Sequence, residues 1–254
     1  MPAAIAQILA EADRLLEPNR FEDYCVNGLQ VPGPREIGKL ATGVSANAKL
    51  FQRAAQERTD LLLVHHGLFW GPGVRTIDDA LASRLRLLFD ADIALAAYHL
   101  PLDAHPELGN NALLAHALGA EHMVPFGAHR AQTIGFLATL PGGGLPAAEL
   151  VAAVAKVTSR PPLLLGEGPD TVERLAIVSG AGSDYAQEAA AAGAQALLTG
   201  EPAERVTATA AELGIHVIAA GHHATETFGI KALGELLAGR FGLEHVFIDV
   251  PNPV

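Results

Sequence analysis

Apolar residues recur along this chain in two rhythms. Ile5, Ile8, Leu9, Ala12, Leu15 and Leu16 fall on one face of an opening helix, which Pro18 ends. A turn-rich segment follows, punctuated by Asn27-Gly28 and Pro32-Gly33-Pro34. Short unbroken apolar runs then predict strands over residues 40–44, 61–64, 93–98, 133–139, 163–165, 175–178, 196–198, 216–219 and 246–249. Longer segments with helical spacing lie between them, over 46–56, 77–90, 110–118, 146–157, 186–192, 203–213 and 225–237. Gly119 suits the C-terminal end of one helix, and Pro146 the start of another. Strand and helix alternate along most of the length, which predicts an α/β protein with largely parallel pairing. Composition shifts near Pro125, which suggests two α/β domains. One is a discontinuous domain of residues 1–126 plus 216–254, and the other is an insertion over 127–215. No repeat of fixed period and no low-complexity tract is visible.

Composition narrows the function classes. The chain has 254 residues, 50% of them hydrophobic, enough to bury one large core or two small ones. Aromatics are 5%, so the core must be built from Ala, Val, Leu and Ile. The formal net charge is -11 and no basic run occurs, which argues against nucleic-acid or membrane partners. A small anionic substrate stays open, because a bound cation can outweigh that field locally. Cys25 is the only cysteine, so no intrachain disulfide and no thiolate-rich metal site can form. The opening segment lacks the basic start and apolar core of a secretory signal, and no apolar stretch nears the ~20 residues of a membrane span. A cytoplasmic location is expected.

Three of the predicted strands lead into histidine and carboxylate. The stretches are Val64-His65-His66-Gly67, Tyr98-His99-Leu100-Pro101-Leu102-Asp103-Ala104-His105 and Gly221-His222-His223-Ala224-Thr225-Glu226. In open α/β sheets ligands bind beyond the carboxyl ends of the strands, where all three stretches fall. His222 and Glu226 are four apart at the start of a predicted helix and can chelate one ion. His65 and His66 would face opposite ways in a regular strand, but at a strand end both could reach one site. Asp103, in a loop, could bridge two ions. Three imidazoles and two carboxylates exceed what one ion needs, which points to two ions ~3.5–4 Å apart. Each histidine taken alone could equally be a surface residue or a satisfied hydrogen-bonding partner; the joint pattern carries the metal reading.

Five motifs then match a known family together. Asp23-Tyr24-Cys25-Val26-Asn27-Gly28-Leu29-Gln30, Val64-His65-His66-Gly67, Asp103-Ala104-His105-Pro106-Glu107-Leu108-Gly109-Asn110-Asn111, Leu198-Thr199-Gly200-Glu201 and Gly221-His222-His223-Ala224-Thr225-Glu226 closely resemble the Nif-three-like dinuclear metal-centre family. Its members are often labelled GTP cyclohydrolase 1 type 2 homologues. The resemblance implies two α/β domains with two metals in the cleft between them, held by His65, His66, Asp103, His222 and Glu226. It also implies a ring-shaped homohexamer whose sites face an internal cavity. The chain is too short for the extra inserted domain of longer members and looks like the compact form.

Other residues offer second readings. His99, His105 and His223 lie beside ligands and could move protons or orient ligands, with His99 and His223 the candidate catalytic groups. His105 could instead cap its loop, and His223 could pack on the far side of its helix. Glu107 and Asn110 could hydrogen-bond a ligand. Ser179-Gly180-Ala181-Gly182-Ser183 could cradle a phosphate through its amides or be a tight turn. Glu201 could enter the site or simply start a helix. No Gly-x-Ser-x-Gly elbow exists, which removes a serine hydrolase. The expectation is a hydrolase of a small, nucleotide-like molecule using two divalent ions, with Zn, Fe(II) or Mn suited to the mixed donors. The alternative is a non-catalytic metal-binding ring that acts through protein partners.

Overall fold

The computed structural model describes residues 2–71 and 76–254. The chain divides into two compact units, residues 1–102 with 229–250, and residues 103–228 with 251–254. Both are mixed α/β.

The first unit is built on a five-stranded sheet ordered Glu244–Phe247, Lys39–Ser45, Leu61–His66, Ala94–Ala97, Gly28–Val31. The first four strands are parallel, and Gly28–Val31 closes one edge antiparallel to Ala94–Ala97. Leu61, Leu62, Leu63 and Val64 are each fully buried, because apolar clusters cover both faces of the sheet. That is why this strand reads as a continuous apolar run rather than an alternation. One cluster rests on the helices Ile5–Leu16 and Thr227–Phe241 through Ile8, Ala12, Leu16, Leu233 and Leu237. The other rests on Ala48–Gln56 and Asp79–Asp90 through Leu50, Phe51, Ala54 and Leu88. Asn47 and Asp78 cap these two helices by accepting from Leu50 N and Leu81 N.

The second unit carries a six-stranded sheet ordered Leu163–Gly166, His216–Ala219, Ala196–Thr199, Arg174–Val178, Gln132–Thr139, Glu121–His129. Only the three strands at 216–219, 196–199 and 174–178 run parallel; the outer ones are antiparallel, so this sheet is mixed rather than largely parallel. Its core packs Leu114, Leu150, Val154, Leu175, Ile177 and Leu198 together.

Four expectations change. The strand His216–Ala219 pairs with Ala196–Thr199 and so belongs to the second unit's sheet, not to the first domain. The segment after the first helix, read as turns, contributes the edge strand Gly28–Val31. Glu121–His129 is a strand that escaped the pattern because most of it is exposed and Pro125 interrupts it. The helix expected over 225–237 is two pieces, His222–Thr225 and Thr227–Phe241, which break at Glu226 with φ -112 and ψ 9.

Candidate metal centre

In the first unit three imidazoles converge. The strand Leu61–His66 runs on through both histidines, with His66 opposite Ser45 in the ladder, so they are in-strand residues rather than residues past its end. His65 is fully buried and His66 half-buried, as alternation requires. The neighbouring strand Ala94–Ala97 delivers His99 two residues beyond its end. The ring centroids are 4.7 Å apart for His65–His66, 5.0 Å for His65–His99 and 5.5 Å for His66–His99. One nitrogen of each ring lies within 4.8 Å of the others, close enough to share a cation.

Each ring is held from behind. His65 Nδ1 donates to the Tyr98 carbonyl at 3.0 Å, which makes Nε2 the nitrogen with a lone pair. His66 Nδ1 hydrogen bonds with Ser45 Oγ at 2.9 Å. His99 Nδ1 bonds to Asp23 Oδ1 at 2.8 Å. Burial alone would raise the Asp23 pKa, but the His99 hydrogen bond and charge, with Asn27 and the Cys25 amide, hold it down at about 2. Two exposed aromatics flank the cluster. Trp70 stands edge-on to His99 at 5.1 Å and 5.8 Å from His66, and Tyr24 lies 6.0 Å from His99. A bridge between Cys25 and Trp70 ties their backbones together, and the Trp70 indole donates to Gly67 O at 2.8 Å.

In the second unit His222 Nε2 stands 3.1 Å from Glu226 Oε2, and His222 Nδ1 bonds to Glu201 Oε1 at 2.6 Å. The four-residue spacing thus works across the broken helix. Burial disfavours the imidazolium, but hydrogen bonds to Glu226 and Glu201 and their charges outweigh it and raise the His222 pKa to about 9. Asp103 is buried; its Oδ1 accepts from Asn110 Nδ2 at 2.8 Å and from Ser179 Oγ at 3.2 Å.

Three of the five amides of the loop 179–183 are spent inside the protein. Ser179 N donates to Asn111 Oδ1 at 2.7 Å, Gly180 N to Thr225 Oγ1 at 3.2 Å and Gly182 N to Thr199 Oγ1 at 2.9 Å. These bonds hold the loop beside Asp103 and Glu226. Gly180 has φ +60, and a Cβ there would collide with Glu226 Oε1 and stand 3.1 Å from His222 Nε2. Its neighbourhood is kept clear for the carboxylate–imidazole pair.

The remaining candidates separate. His105 Nδ1 accepts from Glu107 N at 3.1 Å and Leu108 N at 3.0 Å, so it caps its loop, and burial, against the nearby Glu107 charge, lowers its pKa. The His223 backbone N donates to Val254 O at 3.1 Å. Glu201 is an orienting partner of His222 rather than a helix starter. Ser45 was missed as a site residue, Asp23 and Asn111 stood in the family motifs without a role, and Ser179 was read only as part of a phosphate loop. Besides its place in the first motif, Asp23 had a local signal: it opens a turn in which its Oδ1 accepts from Cys25 N, the bond typical of aspartate before a bend.

In the first unit the imidazoles of His65, His66 and His99, each fixed through Nδ1 by an oxygen partner, form a group that could hold a metal ion.

Known proteins place the chain. The family described as Duf34/NIF3 (NGG1p interacting factor 3) matches residues 3–253. A Pseudomonas aeruginosa protein named "GTP cyclohydrolase 1 type 2 homolog" is 43% identical over 253 residues, covering 100% of both chains. An Escherichia coli K12 protein of the same name is 42% identical over 240 residues, 92% of each chain. The solved structure of protein ybgI, described as of unknown function, superposes with TM-score 0.93 at 38% identity, over 99% of this chain and 100% of that one. By full-length match and by identity, this chain belongs to the Duf34/NIF3 family.

Proposed function

We propose that the chain is a metal-dependent hydrolase of a small, nucleotide-like substrate. In this reading two divalent ions, Zn, Fe(II) or Mn, are held by His65, His66, Asp103, His222 and Glu226. The observation that supports it is the outer anchoring of the imidazoles. His65, His66, His99 and His222 each spend Nδ1 on an oxygen partner, the arrangement that pre-orients histidine toward a cation. When bound, such ions supply the Lewis acidity that lets water act as a nucleophile near neutral pH. His99 and His223 move protons, His99 beside the His65–His66 pair. Asn110 and Ser179 hold Asp103 in place by donating to its Oδ1. The relatives' name, GTP cyclohydrolase 1 type 2 homolog, supports GTP as the first nucleotide to try. The protein works in the cytoplasm as a homohexameric ring, with no nucleic-acid or membrane partner; among the described residues no helix is long and apolar enough to cross a membrane.

The test loads the full chain with each metal and assays GTP, other nucleotides and phosphoesters for formate or phosphate release. Metal-dependent turnover that His65→Ala abolishes is expected. Equal background rates for both proteins across the panel would overturn catalysis and leave a metal-binding ring that acts through protein partners.

A further inference from the structure

We propose that Asp23 is a positioning residue that fixes His99 in the tautomer carrying its proton on Nδ1, so that Nε2 is the base beside His65 and His66. The proposal rests on the reading of His99 as a proton carrier, but its test does not. Asp23 comes from the loop before the edge strand, and His99 from the end of the strand beside it. The Asp23 side chain is 2% exposed and that of His99 12%. A carboxylate so buried must be fully satisfied, and it is. Oδ1 accepts from His99 Nδ1 at 2.8 Å and from Cys25 N at 3.0 Å. Oδ2 accepts from Asn27 Nδ2 at 2.9 Å and from Leu100 N at 2.9 Å. Asn27 Oδ1 in turn accepts from His99 N at 2.8 Å. The five-residue stretch 23–27 therefore grips His99 twice, once at the ring and once at the backbone.

The chemistry of the grip is directional. An ionised carboxylate can only accept, so the hydrogen must sit on His99 Nδ1 and the lone pair on Nε2. The serine behind His66 can donate or accept and dictates no tautomer. The carbonyl behind His65 fixes a tautomer but carries no charge. His99 has a carboxylate partner, and such a carboxylate holds an imidazole in one tautomer and one orientation. The proton balance is simple. Nε2 takes a proton from water as its oxygen bonds to the substrate, Asp23 stays ionised, and the proton then passes to the leaving group. Trp70 and Tyr24 stand against the ring at 5.1 Å and 6.0 Å and limit its swing.

The experiment is long-range proton–nitrogen correlation NMR of the histidine rings in the metal-free full chain at neutral pH. In the native protein the His99 Nδ1–H form should exceed the other by about tenfold, the factor a charge-assisted hydrogen bond supplies. Asp23→Asn turns an amide donor toward Nδ1 and should move the proton to Nε2. Asn27→Ala loosens the same loop but keeps the carboxylate, and should leave the tautomer unchanged. A native His99 with its proton on Nε2 would overturn the proposal even if Asp23→Asn does not fold. So would an unchanged tautomer in Asp23→Asn, or an equal shift in Asn27→Ala, which would assign the effect to loop structure alone. A substrate panel with no turnover would remove the hydrolase reading and leave the tautomer result standing.

Discussion

Metal binding at His222 must compete with a proton, and the size of that competition follows from its neighbours. In the metal-free chain the imidazole lies between Glu201 and Glu226, and its pKa is raised to about 9. The sign is fixed by linkage. A raised pKa stabilises the folded metal-free chain below the unfolded value of 6.5, and this contribution is lost as pH rises through about 9. A cation needs the neutral ring, so its apparent affinity moves the opposite way and climbs up to about pH 9. Two pH units at ~1.36 kcal/mol each make ~2.7 kcal/mol, so at pH 7 binding is ~100-fold weaker than its limit. Calorimetric titration of Mn(II) into the metal-free full chain, in buffers of different ionisation enthalpy, reads both quantities. We expect about a tenfold gain in affinity per pH unit from 7 to 9, and about one proton released from His222 at pH 7. Glu201→Gln removes one of the two carboxylates, so the rise should level off at lower pH. An affinity flat from pH 7 to 9, no proton release, or an identical profile in Glu201→Gln would refute the reasoning.

Three more outcomes can be checked together. Gly180→Ala forces a side chain into φ +60 and against Glu226 and His222; urea denaturation should show a loss of ~2–3 kcal/mol, and native-like stability would contradict the close packing. Trp70 is the only tryptophan and lies 5.8 Å from the His66 ring, so Cu(II) or Co(II) at the imidazoles should quench its fluorescence in step with calorimetric binding. Binding without quenching would place the first ion elsewhere. Tyr98→Phe deletes a hydroxyl that donates to Asp13 Oδ1 at 2.8 Å and should cost ~1 kcal/mol on thermal unfolding. Its metal stoichiometry should not change, because the Tyr98 carbonyl, not the hydroxyl, holds His65.

Much of this was legible in the sequence, for identifiable reasons. The strands at 61–66 and 94–97 are covered on both faces, so burial wrote itself into unbroken apolar runs. His222 and Glu226 were readable because a spacing of four survives a broken helix. The edge strand Gly28–Val31 was not readable, since it is short, half-exposed and opens on a glycine at φ +91. The assignment of 216–219 to a sheet was equally hidden, because the choice of partner strand is a long-range pairing that leaves no local trace. Outer partners such as Asp23 and Ser45 are ordinary polar residues locally, and only the fold places them against His99 and His66. For the loop 179–183 the sequence could not tell which amides are used inside the protein, because the partners of Ser179, Gly180 and Gly182 come from distant segments.

The bond between Asp23 and His99 joins residues 76 apart in the chain. Closing so long a loop costs conformational entropy that the local segment does not offset, so the bond depends on the pairing around it. Loop 23–27 meets the end of the strand at 94–97 because the strand that follows the loop, 28–31, pairs with it. The geometry of the third imidazole therefore depends on tertiary pairing rather than on its own segment of chain. An ion that arrives early meets scattered histidines and binds them at the expense of the native state, and only one that arrives after the sheet finds a finished set. Supply of metal after synthesis, rather than during it, is the regime in which this chain should fold cleanly.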